Sequence, residues 1–386
     1  MPIPEFKPFV CYSLTAIFSW KEAILKKFFC SVMAVVVFCF GALAPASAAA
    51  PAKEKVILSA DMVDLFDDGV AMLMLAKSPK VDLLGVAVVI GNTWVETGTA
   101  SAIRQLEGIK RTDIPVIMGV NTVHREGRMA AIQDEKTQFG RGPDTHDGAA
   151  GYPQPKSWKD AYRAAYNAEP TMEPSKENAV DFIIRQVKAN PHEVTIVAIG
   201  TYNNLAAAVQ KDPSIVPLIK RVVYMGGAFF WNGNVTPQAE FNIWFDPEAA
   251  RIAWRTPFKE QVIFPLDACE KIKFTKKRYD ALAARLKDPH FQTMFANHWT
   301  MPKFKENPEW NTFVWDVLCA AYVIDPTIIE EEETLPVDVN TVYSPNYGST
   351  LAYRGIPPNG TQKARIVFKV NEEKVWKQVN DLFDTM

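Results

Sequence analysis

The sequence predicts an α/β fold built around a mostly parallel sheet, and two observations carry that prediction. Short apolar, β-branched runs alternate with helix-length amphipathic segments, the rhythm of βαβ units. The chain is also long and ordinary in composition: 386 residues, 48% hydrophobic and 22% charged, enough to bury a large core without disulfide or metal staples.

The run 55–60 (Lys-Val-Ile-Leu-Ser-Ala) reads as a short buried strand. Residues 67–76 follow with helical spacing of Val70, Ala71, Leu73, Met74 and Leu75. A second β-branched run spans 81–90, a helix-like stretch 95–107 and a third strand 114–118. The alternation returns with helix 179–189, strand 194–199, helix 204–210, strand 221–225, helix 247–255 and strand 261–266. Helices are expected over 276–286, 288–300 and 312–323. Short strands follow at 337–343, 350–354 and 364–370, with a closing helix at 372–384. Between residues 119 and 174 the rhythm breaks. This stretch is rich in Gly, Pro, Asp and Tyr and reads as a long loop over a site at the strand ends. Compact domains rarely carry irregular segments of such length without a functional use.

The first fifty residues stand apart. Lys26 and Lys27 precede the apolar run 28–43, and Ala-Pro-Ala-Ser-Ala-Ala-Ala follows at 44–50. A positive region, an apolar region and a small-residue exit make a secretory signal peptide. The run is shorter than the roughly 20 residues a spanning helix needs. Residues 1–48 are therefore expected to be a signal peptide with an N-terminal extension, cleaved after Ala48. The domain 49–386 would then be periplasmic or secreted, with no stable membrane association. Cys11, Cys30 and Cys39 would leave with the leader, while Cys269 and Cys319, both in apolar stretches, read as buried free thiols. Basic residues number 42 against 44 acidic, a net charge of -2. Without a cationic surplus to neutralise phosphates, a nucleic-acid partner is not expected.

Three clusters carry the chemistry. Asp61, Asp64, Asp67 and Asp68 lie between the first strand and its helix, where open α/β sheets place their ligands. Four carboxylates so close repel one another, a cost that a hard divalent cation such as Ca²⁺ or Mg²⁺ relieves. Helix capping accounts for one or two of them, not four. The second cluster, 224–247, follows a strand and crowds Asn234, Glu240 and Asn242 among aromatics. Amides and carboxylates suit a polyhydroxylated ligand, because each sugar hydroxyl both donates and accepts, and aromatics suit a flat apolar group. The third is Trp315-Asp316 at the start of an apolar helix; alone it reads as a helix cap.

Together these pieces resemble the inosine–uridine-preferring nucleoside hydrolase family. The motifs are the Asp61–Asp68 loop, 196–205 (Ile-Val-Ala-Ile-Gly-Thr-Tyr-Asn-Asn-Leu), 225–228 (Met-Gly-Gly-Ala), 233–242 (Gly-Asn-Val-Thr-Pro-Gln-Ala-Glu-Phe-Asn) and 246–250 (Asp-Pro-Glu-Ala-Ala). Any one is weak; five in order are jointly specific. The resemblance implies a single α/β domain with an open, mixed central sheet and a bound Ca²⁺. It implies hydrolysis of the N-glycosidic bond of a ribonucleoside, leaning to purines, into base and ribose. Asp61 would be a calcium ligand and the general base; Asp68, the backbone carbonyl of Asn203 and Asp316 would complete the protein ligands. Asp67, Asn92, Asn234, Glu240 and Asn242 would hold the ribose. A homodimer or homotetramer and salvage of extracellular nucleosides follow from the same resemblance.

The chain departs from the family pattern at several positions. Ser59 stands where the family has the first aspartate of its signature, and Val63 replaces the loop glycine. Trp315 replaces a histidine that helps the base depart; an indole there would stack on the base and raise its basicity. Asp144 falls where another family histidine lies, and His146, two residues on, is the candidate acid in its place. Trp94, Trp244 and Trp299 read equally as core or pocket aromatics. Two other readings compete. One is a periplasmic nucleoside- or sugar-binding protein that has lost catalysis, although no duplicated lobe is present. The other is a metal phosphohydrolase, which needs basic or glycine-rich phosphate ligands that the segment 59–70 lacks.

Overall fold

The computed structural model describes residues 52–139 and 146–386. The expected leader, with Cys11, Cys30 and Cys39, and also Asp144 lie outside the described residues. In chain order the strands are β1 (Glu54–Ala60), β2 (Val81–Val88), β3 (Val116–Met118), β4 (Val194–Ala198), β5 (Arg221–Met225), β6 (Gln261–Phe264), β7 (Lys273–Thr275), β8 (Asn311–Phe313), β9 (Ile329–Val339), β10 (Thr350–Ala352) and β11 (Gln362–Val370). Nine of them form one sheet in the order β10-β9-β11-β6-β5-β4-β1-β2-β3, while β7 and β8 form a separate antiparallel ribbon. From β11 to β3 every pairing is parallel; only β9 runs against its neighbours. The expected single α/β domain with a mostly parallel mixed sheet is what the chain adopts.

The chain enters at β1, winds outward through β2 and β3, then returns to the other side of β1 as β4. Ser59 consequently pairs with Ala87 on one side and Ala198 on the other. This reversal opens a crevice at the carboxyl ends of β1 and β4, the place where α/β sheets bind ligands. Burial on both faces explains the unbroken apolar run of β1. Val56 and Leu58 enter one core, and Ile57 enters the other. Helices Asp67–Lys77 and Val317–Ile324 pack into the first core, and Ala179–Ala189, Asn203–Lys211 and Pro247–Arg255 into the second. Cys269 and Cys319 are buried and free, as expected. No helix among the described residues is long and apolar enough to cross a membrane.

The structure corrects four expectations. The segment 119–174 is not one long loop: it contains helices Arg128–Gln138 and Trp158–Tyr166 and a 3-10 turn, Gly148–Gly151. Helix Arg128–Gln138 is built around a buried ion pair. Arg128 donates to Glu135 at 2.5 Å and to the carbonyls of Trp244 and Phe245, and the Trp244 indole donates to Glu135 at 2.8 Å. The expected helix 288–300 is two, Pro289–Ala296 and Thr300–Glu306, broken where His298 turns inward and contacts Thr300. The stretch expected to be helical from 312 begins instead as β8, and the helix starts at Val317. Finally, β9 begins eight residues before the expected 337, because its glutamates lie on an outer strand where Arg354 and Arg365 meet Glu333 and Glu332.

Candidate functional site

Asp61 follows β1 directly and is fully buried at the switch point. The loop after it holds Leu65 at φ 40° and Asp67 at φ 36°, left-handed backbone that a side chain adopts only when its surroundings enforce it. Gln105, buried on helix Val95–Gly108, enforces it here. Its amide oxygen accepts from Leu65 N at 2.9 Å, and its nitrogen donates to Val63 O at 3.1 Å. Sequence reasoning missed Gln105, which is buried on the same helix face as Ser101. Asp64 leaves the cluster, contrary to expectation: it turns outward to accept from Tyr166 Oη at 2.6 Å and from Ser101 Oγ. The site therefore keeps three acids from this loop and gains a fourth from Asp316, whose backbone N–H donates to Asp67 Oδ1 at 2.7 Å. Neither Asp67 and Asp68 nor Asp316 is spent on capping, since both helix starts lack a side-chain cap bond.

The donor atoms around Asp61 fit a hard cation. Asp61 Oδ2 accepts from Asn92 N at 2.6 Å. Asp61 Oδ1, Asp68 Oδ1 and Asn203 Oδ1 are buried without any hydrogen-bond partner, and buried oxygens are seldom left so. A Cβ at Gly91 or Gly200 would overlap the Asp61 carboxylate, so the cradle admits only glycine there. Asn203 opens helix Asn203–Lys211 and is anchored by its amide nitrogen to Thr122 O at 3.0 Å and Asp246 Oδ2 at 2.6 Å. Its side-chain oxygen is thus uncommitted. Among the described residues no three acidic, histidine or cysteine side chains form a ready-made metal cage. The partnerless carboxylate and amide oxygens suit a hard cation that completes its shell with solvent oxygens.

Burial raises the pKa of Asp61, Asp67, Asp68 and Asp316 well above the carboxylate range, and their mutual repulsion adds to it. The folded protein without a cation then holds protons that the unfolded chain releases, so its stability falls as pH rises above the ordinary carboxylate pKa. In chelator, melting is expected at a lower temperature at about pH 8 than at about pH 5. A divalent cation that fits this site, at about a hundredfold excess over its Kd, should restore ~3 kcal/mol. Calorimetry with and without chelator checks this; equal melting at both pH values with no response to such a cation would sink it.

Above this floor opens a cavity of about 900 Å³. Asp67, Asn92, Asn234, Glu240, Asn242 and Asp316 line its polar side, and His146 and Trp315 also line it. Asp61, Asp68 and Asn203 lie beneath, fully buried. Asn92 bridges the two levels, donating its backbone N–H to Asp61 and its amide to Asp68 Oδ2 at 3.3 Å. Glu240 caps helix Phe241–Phe245, accepting from Asn242 N at 2.9 Å, Ile243 N at 3.2 Å and Gly227 N at 3.0 Å. Burial nonetheless pushes its pKa up to about 7. Asn242 spends its amide N–H on Ile199 O and Met225 O, and Asn234 spends its oxygen on Phe241 N. Each keeps its other amide atom for a ligand.

The aromatics sort themselves. Trp94 and Trp299 line the cavity, whereas Trp244 is fully buried core. Trp310, Phe66, Tyr152 and Lys303 also line it and were not singled out by sequence. His146 is exposed and packs beside Phe241, ring centres 5.2 Å apart. Ser59 is buried away from the cavity, its hydroxyl accepting from Asn204 at 3.2 Å, and Val63 forms part of the wall. The expected placement of the 119–174 segment over the site holds for its middle, where Ala149 N donates to Gly91 O at 2.8 Å.

A profile described as inosine-uridine preferring nucleoside hydrolase matches residues 56–377. A probable uridine nucleosidase 2 of Arabidopsis thaliana is 31% identical over 248 residues, 62% of this chain and 70% of that one. A pyrimidine-specific ribonucleoside hydrolase of Escherichia coli is 29% identical over 310 residues, 78% and 87% of the two chains. A solved plant nucleoside hydrolase superposes with a TM-score of 0.70 at 25% identity, covering 86% of this chain and 99% of its own.

Proposed function

Because the chain belongs to the inosine–uridine preferring nucleoside hydrolase family of N-glycosidases, we propose that it hydrolyses ribonucleosides to base and ribose, with Ca²⁺ as its cation. The observation that carries this reading is the polarity of the cavity: acids and amides at the strand ends, aromatic rings around the mouth. Asp61, Asp68, Asn203 and Asp316 are the residues that would hold the cation, which supplies Lewis-acid activation of the attacking water. Asp61 takes the proton of that water. Asp67, Asn92, Asn234, Glu240 and Asn242 orient the ribose through its hydroxyls. Glycosidic cleavage develops positive charge on the sugar, and the buried acids Asp67 and Glu240 favour it electrostatically in a site largely shielded from water.

The leaving base stacks on Trp315, whose ring meets Phe66 edge-on at 6.3 Å and is held in place by it. His146 is the histidine that lines the cavity and is positioned at its exposed side for proton delivery. The wide aromatic mouth favours purines. The pyrimidine specificity of the Escherichia coli relative favours the opposite preference. Ribose release from inosine, adenosine, guanosine, uridine and cytidine, with calcium and with chelator, decides between them; no release from any nucleoside by calcium-loaded protein would overturn the function. Trp315→Leu is expected to lower kcat/KM on the best purine roughly tenfold while changing uridine little. Equal losses on both would remove Trp315 from base recognition. We also infer export to the periplasm or exterior, and a dimer or tetramer in solution; cell fractionation and sedimentation test these.

A further inference from the structure

The mouth of the cavity carries a feature that hydroxyl recognition does not use. Trp299 precedes helix Thr300–Glu306, and Lys303 stands four residues on. That spacing puts both on one helix face, and both line the cavity. Trp299 is 49% exposed although large and apolar. Its ring meets Phe66 at 5.4 Å and Trp310 at 5.9 Å, each edge-on, so the rings form a continuous wall that reaches Trp315 through Phe66. Lys303 is the one lysine or arginine among the lining residues. It is exposed and pairs with no acidic side chain among the described residues.

Resting on the nucleoside hydrolase reading, we propose that Lys303 is a specificity-determining residue for the leaving base. It admits N-ribosides whose base carries negative charge on its outer edge, an ionised oxo or carboxylate group. The ionisable groups on the cavity's polar side, Asp67, Glu240 and Asp316, are all acidic. None of them offers an anionic base edge a cationic partner, which leaves the Lys303 ammonium at the mouth to meet it. When the C1′–N bond breaks, its electron pair stays on the base nitrogen. The hydroxyl of water goes to C1′ and the remaining proton to the departing base. Lys303 keeps its own proton and stabilises the negative charge by position. A 5′-phosphate is the other anion the lysine could meet, and the test below separates the two.

The test compares xanthosine, ionised in mildly alkaline buffer, with inosine, which lacks its second oxo group. Lys303→Gln is expected to lower kcat/KM for xanthosine roughly 10- to 100-fold and for inosine less than about threefold. Equal loss on both, or loss on neither, overturns the proposal, and so does a selective loss on inosine 5′-monophosphate. Quenching of indole fluorescence by free xanthine against hypoxanthine is read in parallel on the same two proteins. If no nucleoside is cleaved but xanthine quenches with a lysine-dependent affinity, the subsite stands and the hydrolase reading falls. Quenching that ignores the substitution overturns the subsite.

Discussion

Asp61→Asn is expected to reduce ribose release on the order of 10⁴-fold, ~5 kcal/mol of transition-state stabilisation, while leaving the fold intact. The asparagine is isosteric, and its oxygen can still accept from Asn92 N, now 2.6 Å from Asp61 Oδ2. What disappears is a charge that faces Asp68 in a fully buried pocket. That charge is both the proton acceptor for water and part of the cation's shell, so one substitution removes two functions. It also removes a repulsion. In chelator the variant should therefore melt no lower than the parent, and calcium should raise its melting temperature less. Retention of a tenth of the parental rate, under saturating calcium, would exclude Asp61 as the base. A variant that loses activity only because it unfolds would show itself in the melting curve.

Arg128→Met is expected to lower unfolding free energy by about 3–5 kcal/mol, the cost of leaving one member of a buried pair alone. Both Arg128 and Glu135 are fully buried, and the guanidinium also serves the carbonyls of Trp244 and Phe245. Those carbonyls belong to the short helix Phe241–Phe245, which carries Asn242. The loss should thus appear twice, as a lower midpoint in urea and as a raised KM for nucleoside with kcat less affected. Adding Glu135→Gln should recover part of the stability by removing the stranded charge. A loss below about 1 kcal/mol would mean that the pair is solvated after all.

Much of this was legible in sequence because burial on both faces of a parallel sheet writes unbroken apolar runs. β5 and helices Ala179–Ala189 and Pro247–Arg255 fall where the patterns put them. Two of the misses share a cause: segments stabilised by polar contacts rather than by an apolar stripe. Helix Arg128–Gln138 buries few apolar residues and rests on its ion pair. Residues 329–334 lie outside the expected strand because their charges are met across strands by arginines that local pattern cannot anticipate. Helix Trp158–Tyr166 did leave a signal, Ser157 accepting from Asp160 N at its cap and Trp158, Tyr162 and Tyr166 spaced by four. Of the site, the acids and amides could be read from the motifs, and eight of the expected residues line one cavity. The outward turn of Asp64, and the roles of Gln105 and Lys303, depend on long-range packing.

The hydrogen bond from Tyr166 to Asp64 constrains how such a protein could be re-engineered. Tyr166 comes from the segment after 119, while Asp64 sits three residues from Asp61 and Asp67. A chimera that imports the 119–174 segment from a relative without a hydroxyl at that position would free Asp64. The released carboxylate could swing back among its neighbours and compete for the cation. Substrate preference should therefore not be transplantable by exchanging that segment alone; the tyrosine, or a compensating Asp64→Asn, would have to travel with it.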